Sequence, residues 1–154
     1  MPENFAVAAE RHLRVGELLF KAEEYDDAGY HFGVCGEILV KHALREAGVE
    51  REWILSGAAL GKSPKKTLLS TPMRRHLPEL TSVMPNFQTE IALYMSGRFS
   101  PAVTSLILVP SFIARFGGWH IDIRYADPLY TPVDRATCQR WYDDATDFFL
   151  GLAI

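Results

Sequence analysis

Cysteine is nearly absent from this chain. Cys35 and Cys138 are the only two, far apart and without a Cys-x-x-Cys spacing. That excludes a disulfide framework and a zinc knuckle, and it suits a reducing compartment. An excess of either charge is also missing: 16 Lys and Arg stand against 19 Asp and Glu, for a net charge of −3. No global field draws nucleic acid to the chain, so any such binding needs a local patch. Long apolar runs are missing too. The richest, residues 102–116, is interrupted by Pro110 and is too short to span a bilayer. The first residues, MPENFAVAAERHLR, carry charge too early for a secretory core. With no repeat, low-complexity tract or linker, residues 1–154 read as one cytoplasmic domain, with no membrane segment and enough apolar content for a core.

What the chain does have is residues 28–44, AGYHFGVCGEILVKHAL. One ridge carries Ala28, Phe32, Cys35 and Leu39; the adjoining ridge carries Tyr30, Val34, Ile38 and Leu44. A helix apolar on most sides is buried by its neighbours. Gly29, Gly33 and Gly36 line a further strip, and interior glycines cost about 1 kcal/mol each relative to alanine. Close approach of another backbone along that strip offsets the cost. Glu37 and Lys41 stand four apart on the same rod, acid first, and need partners if buried.

Around this rod the spacing predicts further helices. Residues 3–22 form the first, with Asp26 or Asp27 capping the second and Gly48 closing it. Shorter helices are expected over 50–55, 65–69, 74–84 and 87–95, then an apolar one over 101–116 kinked at Pro110. The alternating WHIDIRY segment is too short to predict a strand. The final helix takes Thr131 as cap and Pro132 at its first position, with Val133, Ala136, Trp141, Ala145, Phe148 and Leu152 as its stripe.

Several segments, in order, resemble a HEPN domain. Ala28-x-x-His31 followed by Gly33, Glu37 and Lys41 is similar to that family's second long helix. His76-Leu-Pro-Glu-Leu resembles a helix start common in the middle of such domains, and Trp119 with Arg124-Tyr125 resembles the Trp-x(4)-Arg-Tyr signature of one branch. The resemblance implies an all-α antiparallel helical bundle that dimerises and acts in bacterial defence or toxin–antitoxin systems. Catalytic members are metal-independent ribonucleases with Arg-x(4–6)-His at the start of the last long helix. Here Arg124 is followed by YADPLYTP with no histidine in range.

The candidate chemistry then divides. Arg115 and His120 match the ribonuclease spacing, but Gly117-Gly118 breaks the helix that would present them together. Glu37, Lys41, Arg124 and Tyr125 form an expected polar clasp or pocket, with Arg124 as the third charge. Lys62, Lys65, Lys66, Arg74, Arg75 and His76 form a basic stretch suited to phosphate oxygens, while Asp143, Asp144 and Asp147 form an acidic one. His31 and Cys35, four apart, lack further ligands at any metal-binding spacing, so neither metal nor cofactor is expected. The expected protein is a non-catalytic, homodimeric binder of RNA, nucleotide or a neighbouring gene's product. A ribonuclease using Arg115 and His120, or a pure scaffold, is the alternative.

Overall fold

The computed structural model describes residues 4–48, 76–77, 79–83, 92, 95–125, 127 and 133–153. Helix α1, Phe5–Lys21, begins where the Asn4 side chain accepts the Val7 N–H at 3.1 Å. A tight turn with Glu23 at φ +63° reverses the chain into α2, Tyr25–Glu46. The predicted cap needs correction. Asp26 and Asp27 lie within the first turn of α2, where their charge complements the helix dipole. Asp26 instead accepts the Val133 N–H at 2.8 Å, pinning the approach to the last helix. Gly48, at φ +80°, donates to the Arg45 carbonyl past the end of α2.

Two short helices follow among the described residues, α3 at Glu79–Val83 and α4 at Ser100–Leu106. The kinked helix expected over 101–116 is broken instead. Val109 is extended, at φ −108° and ψ 149°, the conformation favoured before proline. Pro110 therefore opens a separate 3-10 helix, Pro110–Ala114. The alternating WHIDIRY segment also winds into a 3-10 helix, Ile121–Tyr125. Helix α5, Arg135–Leu152, is capped by Asp134, which accepts the Thr137 N–H at 2.7 Å. The cap lies three residues beyond the predicted Thr131, which is outside the described residues, as are the helices predicted over 50–55 and 65–69.

Every element among the described residues is helical, and α2 is the centre. Its buried face includes Phe32, Cys35, Leu39, Val40 and Leu44. Helix α1 runs antiparallel to it: Phe20 meets Tyr25, His12 meets His31, and Phe5 meets His42. Helix α5 packs on α2 in the other sense. There Asp26 reaches Val133, Gly29 faces Trp141 and Phe32 stacks on Tyr142, so α2 and α5 run in the same general sense. The long connection between them permits this, whereas a short one would have forced reversal. On α5, Cys138, Trp141, Ala145, Phe148 and Leu152 are buried; Ala136, placed in the stripe by spacing, is exposed.

Candidate functional site

The glycine strip of α2 receives aromatic rings, not a second backbone. A Cβ at Gly29 would meet the Trp141 ring, one at Gly33 the Trp119 ring, and one at Gly36 the Phe116 ring. Trp119 is fully buried, and its indole N–H donates to the Gly29 carbonyl at 2.8 Å. Trp141 donates to the Gly117 carbonyl at 3.0 Å. The turn holding Phe116 and Trp119 is held tightly itself. Phe116 has φ +54°, a left-handed conformation that a side chain rarely adopts. Its ring sits edge-on to Phe148, and its N–H donates to Asp144 at 2.9 Å.

Glu37 is buried and, among the described residues, accepts from three donors. Lys41 Nζ lies 2.7 Å from Oε1, His76 Nδ1 lies 2.9 and 3.1 Å from the two oxygens, and the Leu77 N–H reaches Oε2 at 3.3 Å. The third charged or polar partner is thus His76, not the predicted Arg124. Arg124 is exposed, and its guanidinium lies 4.6 Å over the ring of Tyr125, itself 73% exposed. The predicted clasp resolves into two separate features: a buried Glu37 centre and a displayed Arg124–Tyr125 stack. His76 belongs to the first of these rather than to a free basic patch. Lys62, Lys65, Lys66, Arg74 and Arg75 lie outside the described residues.

Arg115 and His120 are not brought together. The Arg115 guanidinium is bound by Asp144 at 2.7 Å and Asp147 at 2.9 Å, and these carboxylates hold its proton more firmly than usual despite desolvation. Two members of the predicted acidic patch thereby share one guanidinium; Asp143 accepts from Gln139 at 2.9 Å. His120 is exposed, beside Asp122 at 3.2 Å. It lines an open cleft of about 630 Å³ with Asp122, Thr137, Arg140 and Trp141. Both carboxylates are held by the same guanidinium nitrogen, Nη1, so Arg115 serves as a tie between the turn at Phe116 and α5.

Sequence reasoning missed a contact between α1 and α2, where His12 and His31 place their Nδ1 atoms 2.9 Å apart. The signal was present: both stand at comparable distances from the turn at Glu23, on helices that must lie antiparallel. Cys35 takes no part. It is buried, and burial pushes its thiol up to about 12. Among the described residues, no group of three or more His, Cys, Asp or Glu stands ready to hold a metal ion.

Burial lowers the pKa of His42 below the usual histidine value, an effect opposed by Glu46 and reinforced by Arg45 and Arg98. Its ring lies against Phe5 and Phe99, and its buried Nε2 has no hydrogen-bond partner among the described residues. A histidine whose folded pKa is depressed binds fewer protons folded than unfolded. Its contribution to stability is complete above about pH 6.5 and is lost as pH falls below it. The expected result is that His42→Leu raises the melting temperature more at pH 5.5 than at pH 7.5. Equal shifts at the two pH values would show that His42 does not titrate on unfolding.

Among the described residues no helix is long and apolar enough to cross a membrane. Comparison with protein-family models, with curated proteins and with solved structures found no match for the chain.

Proposed function

We propose that this protein is a non-catalytic, HEPN-like RNA-binding component of a bacterial defence or toxin–antitoxin module, acting in the cytoplasm as a homodimer. The observation that carries the reading is the exposed Arg124–Tyr125 stack. One face of the tyrosine is covered by a guanidinium, and the ring remains open to an unpaired base. Stacking on such a ring contributes about 1–3 kcal/mol per base and tolerates any sequence. The run of Lys62, Lys65, Lys66, Arg74 and Arg75, without an acidic residue, supplies phosphate contacts from the sequence. Trp119, just upstream, anchors the Arg-Tyr element on Gly33. The non-catalytic part of the reading rests on Arg115, whose charge is taken by Asp144 and Asp147.

The test is fluorescence anisotropy of a labelled single-stranded RNA across a salt series. Tyr125→Ala is expected to weaken binding by about tenfold, the lower part of the stacking range. Replacing Lys65, Lys66, Arg74 and Arg75 by alanine should flatten the log–log salt slope by about 3, at roughly 0.7 per phosphate contact. RNA should stay intact in EDTA. Cleavage lost with His120→Ala would establish the ribonuclease reading instead. Absence of RNA binding at low salt would leave a protein-partner scaffold.

A further inference from the structure

We infer that His12 and His31, facing each other across the α1–α2 contact, form a two-histidine site for a divalent transition-metal ion of the zinc, nickel or copper class. This goes beyond RNA binding and does not depend on it. Three observations bear on it. The two Nδ1 atoms are 2.9 Å apart, and the rings are 5.1 Å apart between centroids and inclined by 35°. Two imidazole nitrogens on a tetrahedral zinc stand about 3.3 Å apart, from Zn–N distances of about 2.0–2.1 Å. Opening the pair by a few tenths of an ångström, with each ring turned slightly, makes the lone pairs converge on an ion. Both side chains are partly exposed, so the ion and its remaining water ligands have access.

The second observation is the hydrogen bond between the rings: one Nδ1 donates its hydrogen to the other, so one lone pair already points into the gap. Imidazole ligates metal in its neutral form. The third is rigidity. The two ligands come from long helices joined by a tight turn, so little ordering remains for binding to complete. Imidazole suits zinc, nickel and copper, with copper(II) the tightest of them. With two protein ligands, the other coordination positions are filled by water or by a donor from another molecule.

The experiment is isothermal titration of the full chain with Zn2+ at pH 7.5, repeated at pH 5.5. One ion per chain is expected, with binding weakened by at least about tenfold in His12→Ala and in His31→Ala, the range typical of a lost metal-site partner. His120→Ala and His76→Ala should leave it unchanged, and acid should weaken it as protons compete. Circular dichroism of each variant separates lost ligation from lost folding; His12→Asn and His31→Asn serve if an alanine variant unfolds. No binding at millimolar Zn2+, or equal binding in His31→Ala, overturns the inference. Neither outcome touches the RNA reading, which the EDTA-containing anisotropy assay tests alone.

Discussion

Gly33→Ala is expected to destabilise the protein by about 3 kcal/mol, the upper part of the range for forcing extra volume into a packed core. The alanine Cβ would fall on the Trp119 indole, against its Cε2 and Nε1. Something must shift, and neither partner can do so freely. The glycine backbone belongs to the central helix, while the indole is fully buried and bonded to the Gly29 carbonyl. Trp119→Ala removes the ring from the other side and should cost about 3–5 kcal/mol. Trp119→Phe, which keeps an aromatic ring but loses the indole donor, should fall between the natural protein and alanine. In a chain of this size each kcal/mol moves the melting temperature by about 2–4 °C. Thermal unfolding followed by circular dichroism reads this, and tryptophan emission reports whether Trp119 has left its seat. A melting temperature unmoved by Gly33→Ala would mean that the ring is not lodged there in solution.

Removing the Glu37 carboxylate is expected to have a comparable effect by a different route. Glu37→Ala leaves Lys41 with 14% of its side chain exposed and no counter-ion among the described residues, and strips His76 and the Leu77 N–H of their acceptor. Breaking one member of a buried pair costs about 3–5 kcal/mol, because the remaining charge is buried alone. Replacing both Glu37 and Lys41 by methionine removes the orphan along with the pair and should recover most of that loss. Urea unfolding of the single and double variants separates the two cases. A Glu37/His76 double-mutant cycle then measures the coupling that the 2.9 Å contact implies. Additive losses in that cycle would show that the imidazole contributes nothing at the centre.

The difference between Glu37 and its predicted partner shows where sequence reading stops. Residues 28–44 were legible because periodicity is local: the ridges, the glycine strip and the Glu37–Lys41 spacing all follow from one helix. The identity of the third group at Glu37 depends on which remote segment arrives there. Arg124 and His76 are indistinguishable on that question without the fold. Trp119 was legible as part of a motif, but its seat on Gly33 was not, since a glycine strip admits a backbone or a ring equally well. Asp134 was overlooked as a cap because Thr131-Pro132 gave the stronger local signature. Pro110 was expected to bend a helix, yet α4 stops at Leu106 and Pro110 opens a separate 3-10 helix after an extended Val109. The sense of α5 relative to α2 had no local trace at all, being set by the long connection.

The rings lodged on the rod of α2 also bear on descent. A position without a side chain and the ring that fills its place form a couple, and neither member can change size alone. A chain that acquires a side chain at 33 has to shrink residue 119 in step, and the same holds for 36 with 116 and 29 with 141. Compensating exchanges at these three couples are therefore a signature by which remote kin can be identified after overall identity has faded.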